Sequence, residues 1–320
     1  MAHPGVLHRY TSKLVAFEHT PSPCHSASTL QDPSTLNTLL WVGGLGDGLL
    51  TVDYPTAIAK SLPPNWRLAH VVLTSAYNGW ATGSLKRDAE ELGKAVVYFR
   101  ELRGNGKVVL MGHSTGCQDL MEYIVGAGHE ARPTVNGMVL QAGVSDREAL
   151  VQELHPEVYN STVELAQQML KEGRQNDILP RNDASKAFGS AMTAYRWLSL
   201  ASPDKNGDDD YFSSDLDDEK LASTFGKIVK ETPVMFLFSG SDEHVPGFVD
   251  KKGLVERWTG FVRRGGGVVD EDDGGVVEGA SHNLNGDGEA VVGDLVKRVL
   301  AFLGRVGEDR PDWEPGSKLN

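Results

Sequence analysis

The chain has 320 residues, 40% hydrophobic and 23% charged, which suits a soluble globular protein with one large α/β domain and an insertion, or two small domains. Lys and Arg number 31 against 44 Asp and Glu, a formal charge of −13. That balance argues against a nucleic-acid or anionic-membrane partner, because phosphate would be repelled, and it is consistent with a cationic or neutral substrate. The two cysteines, Cys24 and Cys117, make neither a disulfide framework nor a metal-ligand spacing, so no metal or cofactor is expected.

At the N-terminus, Met1-Ala2-His3-Pro4-Gly5 lacks the charged head and apolar core of a signal peptide. Residues 5–19 alternate loosely and predict a β-hairpin, and the Pro/Ser/Thr-rich residues 20–36 predict a loop that holds Cys24. Residues 38–42 (Thr-Leu-Leu-Trp-Val) form a buried strand that runs into Gly43-Gly44-Leu45-Gly46-Asp47-Gly48. The glycines do not have the spacing of a phosphate-binding loop. A glycine-rich turn after the third strand of a hydrolase sheet instead lets a backbone N–H approach a substrate carbonyl.

The next strand covers residues 68–74 and ends in Ser75-Ala76-Tyr77-Asn78-Gly79-Trp80. Residues 85–103 form an amphipathic helix with Ala89, Leu92, Ala95, Val96 and Phe99 on one face. Residues 106–111 read as another buried strand, and Leu120, Met121, Ile124 and Val125 recur at helical spacing within 117–125. Between them stands Gly112-His113-Ser114-Thr115-Gly116, a Gly-x-Ser-x-Gly sequence in a strand–turn–helix context. Such a turn is tight enough to strain the serine backbone, and side chains at the flanking glycines would collide. It lifts the Ser114 hydroxyl clear of the sheet edge, at a helix N-terminus that favours negative charge.

Residues 135–141 give a further strand. From 147 to 230 the rhythm turns helical, broken by the polar stretch 202–210, and predicts an inserted helical lid. Strand rhythm resumes at 233–238 and ends in Ser239-Gly240-Ser241-Asp242. A helix around 247–264, a Gly/Asp-rich turn at 265–275 and a short strand at 276–278 lead to Gly279-Ala280-Ser281-His282. A closing helix at 287–304 buries Val292, Leu295, Val299 and Phe302, and residues 306–320 read as a polar tail. Its end, Ser317-Lys318-Leu319-Asn320, is not a peroxisomal address because Asn320 follows the motif. No apolar run approaches the ~18 residues of a membrane helix, so a cytoplasmic protein is expected.

Strands alternating with helices predict a mostly parallel sheet covered on both faces, with ligands beyond the carboxyl ends of the strands. The predicted fold is that of an α/β-hydrolase, with a core of residues 1–146 and 231–305 and a lid at 147–230. The order Ser114, Asp242, His282 is the nucleophile–acid–base order of that fold. His282 would take the serine proton and return it to the leaving group, while Asp242 fixes its tautomer. Backbone N–H groups of Thr115 and Leu45 are the candidate oxyanion donors. His244 rivals His282 but follows Asp242 too closely, and His113 should point inward. Glu243 and Asp250 compete with Asp242, and Asp47 is expected to stabilise the oxyanion loop. Tyr77 and Trp80 either face substrate or pack at the rim. The acidic run 208–215 is either a solvated loop or, through Tyr211 and Phe212, a lid edge near the pocket.

Four stretches carry a resemblance: Trp41-Val42-Gly43-Gly44-Leu45-Gly46-Asp47-Gly48, Gly112-His113-Ser114-Thr115-Gly116-Cys117-Gln118-Asp119, Gln141-Ala142-Gly143-Val144-Ser145-Asp146-Arg147-Glu148 and Asp209-Asp210-Tyr211-Phe212-Ser213-Ser214-Asp215-Leu216. The sequence resembles a fungal group of α/β-hydrolases, long described as a domain of unknown function, that includes siderophore esterases. The resemblance implies a catalytic Ser114, Asp242 and His282. It also implies an intracellular enzyme that cuts ester bonds of fusarinine-type hydroxamate siderophores to release iron. Composition and spacing by themselves reach only a serine hydrolase. Cleavage of another ester, a lactone, a thioester or a peptide, acyl transfer, and a non-catalytic ligand-binding protein stay open.

Overall fold

The computed structural model describes residues 2–20, 33–181 and 189–308, so Cys24 lies outside the described residues. One eight-stranded sheet runs in the order β1 (Gly5–Arg9), β2 (Val15–His19), β4 (Trp66–Val72), β3 (Asn37–Val42), β5 (Val108–His113), β6 (Gly137–Gln141), β7 (Val234–Ser239), β8 (Gly275–Val277). The β1–β2 and β2–β4 pairs are antiparallel, and every pair from β4 through β8 is parallel. This is the α/β-hydrolase fold.

Strands β3, β5, β6 and β7 are buried along their whole length, as strands covered on both faces must be. Their alternation divides the core in two. Leu40, Val42, Val108 and Leu110 face one side, and Leu39, Trp41, Val109 and Met111 face the other. The first side is covered by helices α2 (Leu85–Arg103), α3 (Thr115–Val125) and α8 (Lys251–Arg264). The second is covered by α1 (Tyr54–Ser61) and α9 (Glu289–Gly307). Full burial of each large apolar side chain is worth about 1.5–3 kcal/mol, so these two layers outweigh local propensity.

Helix α2 has the bounds its spacing predicts. Ser84 Oγ accepts the Arg87 N–H at 3.2 Å at its start, and Gly104, at φ 57°, ends it. Helix α1 has no counterpart in the sequence reading. Its signals are weak: a proline in the first turn and Tyr54 and Ile58 four apart on the buried face. The closing helix runs past the expected start of the tail. Val306 is buried beside Phe302, against β6 at Gly137, and that contact holds the last turn. Residues 309–320 lie outside the described residues.

The segment expected as one lid packs in two directions. Helices α4 (Asp146–Glu153), α5 (Pro156–Lys171) and α6 (Ala194–Ala201) close a core of their own, with Tyr159, Val163, Met169 and Trp197 joined by Trp80 and Ala81. Tyr211, Phe212, Leu216, Leu221, Phe225 and Ile228, running through α7 (Asp218–Ser223), belong to the core against the sheet.

The acidic run between these parts is not a solvated loop. Asp209 and Asp210 are buried. The Arg196 guanidinium donates to Asp209 at 2.5 Å. Arg147 donates to Asp210 at 2.9 Å and to Asp215 at 2.5 Å. A buried carboxylate left without such partners would be costly. The partners come from distant parts of the chain, which is why the run resembles exposed loop when read alone.

Candidate active site

The carboxyl ends of β5, β6 and β7 converge on one rim. Ser114 lies between the last residue of β5 and the first of α3, at φ 52° and ψ −126°. A positive φ at a non-glycine residue is strained, and the surroundings hold it. The Ser114 N–H donates to Gln141 O at 3.0 Å, and Ser114 O accepts from the Cys117 N–H at 2.8 Å. A Cβ at Gly112 would stand 2.5 Å from Gly116 C, and one at Gly116 would stand 2.4 Å from Val42 O. Both clashes are with backbone, so neither can be relieved by a rotamer change. Gly116→Ala is therefore expected to destabilise the fold by at least about 1–3 kcal/mol, seen as a lowered midpoint in denaturant. An unchanged midpoint would show that α3 can move off β3.

His282, in the turn after β8, reaches back to this serine. Its Nε2 lies 2.8 Å from Ser114 Oγ, and its Nδ1 lies 2.7 Å from Asp242 Oδ2. A carboxylate only accepts, so this contact places the ring proton on Nδ1 and leaves the Nε2 lone pair toward the hydroxyl. The Asp242 side chain is fully buried, and its other oxygen accepts the His244 N–H at 3.0 Å. Of the competing acids, Glu243 accepts the His282 backbone N–H at 2.9 Å, and Asp250 caps α8 by accepting the Gly253 N–H at 3.0 Å.

The glycine-rich turn after β3 lies directly over Ser114. A Cβ at Gly44 would come within 2.6 Å of Ser114 Cβ. Asp47 holds the turn, its carboxylate accepting from the Gly44 N–H at 2.8 Å and the Thr51 hydroxyl at 3.0 Å. Leu45 follows Gly44 and lines the cavity in front of Ser114, and Thr115 opens α3.

That cavity, about 400 Å³, is also lined by Trp80, Asp146, Leu150, Glu153, His244 and His282. Trp80 is thus at the pocket wall. Tyr77 and Tyr211 are not in the lining, so of the two readings of Tyr77 the structure favours packing at the rim, and Tyr211 is not a lid edge at the pocket. Tyr77 packs on the glycine-rich turn at Gly48, and its hydroxyl accepts the Leu49 N–H at 3.0 Å. Tyr211 is buried in the main core, and its hydroxyl donates to Glu122 at 3.2 Å.

Beneath the serine a polar cluster ties the strands together. The Gln141 amide nitrogen donates to Ser239 Oγ at 3.1 Å and to the His282 carbonyl at 3.3 Å. Its oxygen accepts from the Tyr54 hydroxyl at 3.0 Å and contacts His113 Nδ1 at 2.6 Å. Burial, followed by the nearby His282, pulls His113 down to about 4, so at neutral pH it is an uncharged inward-facing ring. Cys117 is buried in α3 with its thiol pushed well up by burial, which leaves it unreactive. Burial pulls His244 down, but the Glu153 carboxylate, 3.0 Å from its Nδ1, outweighs that and raises it.

The sequence assigns no role of their own to Gln141, Asp146 and Glu153, although the first two stand in one of the resembling stretches. Gln141 had a visible signal, as a polar residue closing an apolar parallel strand at the ligand end of the sheet. No group of His, Cys, Asp and Glu among the described residues could hold a metal ion, and no helix there is long and apolar enough to cross a membrane.

Comparison with known proteins gives consistent matches. The family described as a protein of unknown function, DUF1749, matches residues 1–304. The fusarinine C esterase sidJ of Aspergillus fumigatus is 35% identical, over 94% of this chain and 95% of its own length. An esterase of Emericella nidulans is 36% identical, over 96% of this chain and 94% of its own. Among solved structures, the siderophore hydrolase EstB of Aspergillus fumigatus superposes with a TM-score of 0.78 at 36% identity, covering 95% of this chain and 98% of that one.

Proposed function

The chain belongs to the DUF1749 family, and from that membership and the geometry around Ser114 we propose that it is a serine carboxylic-ester hydrolase. The observation that carries the reading is the unbroken line Ser114–His282–Asp242, with contacts of 2.8 and 2.7 Å, opening on a cavity. His282 takes the Ser114 proton as the hydroxyl oxygen bonds to the ester carbonyl carbon. The N–H groups of Thr115 and Leu45 receive the charge on the carbonyl oxygen, and one such donor is typically worth ~10²–10³ in rate. Collapse of the adduct breaks the ester C–O bond, and His282 gives its proton to the departing alcohol. Water then repeats the sequence on the acyl-serine, returning the free acid and the original hydroxyl. The helices α4 to α6 form the lid, since Ala149, Leu150 and Leu200 line the cavity.

We infer that the natural substrate is a fusarinine-type ester siderophore. The support is the similarity to a fusarinine C esterase and a siderophore hydrolase over nearly the whole chain. Ester cleavage would open the ring, weaken chelation and free the iron cargo. Mass spectrometry of iron-loaded and iron-free cyclic siderophores after incubation tests this directly. A mass gain of one water per cut ester is expected. Intact rings beside rapid hydrolysis of simple esters would reject the substrate while keeping the chemistry. A competing alcohol in the same assay separates hydrolysis from acyl transfer.

Gln141 is the positioning residue of this machinery. Gln141→Leu orphans several buried polar groups, each costing about 1–3 kcal/mol, and frees the His282 carbonyl. A stability loss with a fall in kcat at nearly constant KM is expected. Gln141→Glu, which keeps the acceptor for Tyr54 but sets an oxygen against the His282 carbonyl, should lower kcat as well. A change in KM alone would contradict that role.

A further inference from the structure

Two of the four sequence stretches singled out above meet in the pocket wall at Gln118 and Asp146, and the chemistry just described uses neither. Gln118 is fully buried in α3. Its amide nitrogen donates to the Val144 carbonyl at 3.0 Å and to Asp146 Oδ2 at 3.0 Å. Both of its protons are thereby committed, and the carboxylate at the start of α4 is fixed in place. Asp146 is surrounded by protein yet partly exposed, and it lines the cavity that holds Ser114 and His282.

The other acids of that cavity are occupied. Asp47 holds the glycine-rich turn, and Glu153 is paired with His244. Asp146 Oδ1 has no protein donor among the described residues. The arginines behind it are engaged elsewhere, Arg196 with Asp209, and Arg147 with Asp210 and Asp215. Among the described residues, no lysine or arginine lines the cavity. A carboxylate oriented at a pocket wall by Gln118, with an unused oxygen and its charge only partly offset by Arg196 and His244, is complementary to a cation brought by the ligand.

We propose that Asp146, oriented by Gln118, is a recognition residue for an ammonium group on the ester substrate, so that the pocket selects amine-bearing esters over their neutral or acylated counterparts. The selection rests on the reading of Ser114 as the nucleophile. Burial, reinforced by Asp209 and Asp210, raises the Asp146 carboxyl to about 7, so an arriving cation relieves a charge that the protein itself only partly offsets.

The test uses the full chain at pH 8 and follows labelling of Ser114 by an alkyl fluorophosphonate. Hexylammonium, hexan-1-ol and N-hexylacetamide compete in separate arms. Hexylammonium is expected to protect at about tenfold lower concentration than either neutral compound, the size of a charge-assisted hydrogen bond in a partly desolvated site. In Asp146→Asn, where an amide N–H replaces the free oxygen, that preference should vanish. Gln118→Leu should weaken it while leaving the carboxylate present. Equal protection by all three compounds in the unaltered protein overturns the ammonium assignment and leaves the nucleophile standing, whatever the variants do. Stronger protection by the amide or alcohol overturns it in favour of a neutral donor. Failure of Ser114 to label at all rejects the nucleophile, and the assignment falls with it.

Discussion

Ser114→Ala is expected to lower kcat on any accepted ester by about 10⁴–10⁶-fold, the typical worth of a nucleophile that acts as part of a unit. The hydroxyl oxygen is the only atom removed, and it sits 2.8 Å from His282 Nε2, so the loss falls on bond formation. Packing should be almost untouched. The strained backbone at φ 52° stays strained with alanine, so the denaturation midpoint should remain close to that of the parent. Fluorophosphonate labelling should disappear with activity. Retained turnover above about 10% of the parent would remove Ser114 from the chemistry, since residual catalysis from an oxyanion site is far smaller.

Asp242→Asn should follow with a loss of about 10⁴-fold at neutral pH, by a different route. The side chain keeps its shape, but an amide can donate to His282 Nδ1, where the carboxylate could only accept at 2.7 Å. The imidazole is then offered in the wrong tautomer, and no anion supports the imidazolium. The other oxygen, which accepts the His244 N–H at 3.0 Å, is kept by the amide, so the loop after β7 should hold its place. The informative readout is kcat in single-turnover experiments alongside KM. A fall in kcat at steady KM fits an orienting acid. An effect confined to KM would move the acid's role to Glu243 or another neighbour.

Much of this was legible in the sequence because its causes are local. The apolar runs of β3, β5 and β7 declare strands buried on both faces. Gly112 and Gly116 declare a turn in which no side chain fits. Polar residues placed just after strands, Asp242 and His282 among them, mark the rim where a parallel sheet binds ligands. What stayed hidden depends on partners far away in the chain. The acidic run 208–215 carries the same letters as a solvated loop, and only Arg147 and Arg196 make it interior. Neither a solvated loop nor a lid edge describes Tyr211, whose ring serves the main core. Helix α1 is short and its signal is shared with ordinary loops. Asp146 is unremarkable as a letter and acquires meaning only from the glutamine beside it.

The cap's separate apolar core bears on how such a protein can change. Tyr159, Met169 and Trp197 are satisfied among themselves and with Trp80, while the sheet layers are complete without them. The surface that meets the ligand can therefore drift without eroding the scaffold that aligns the reacting atoms. New specificities are within reach of exchanges at the cavity-facing Ala149, Leu150 and Leu200, provided Arg147 and Arg196 keep their carboxylate partners.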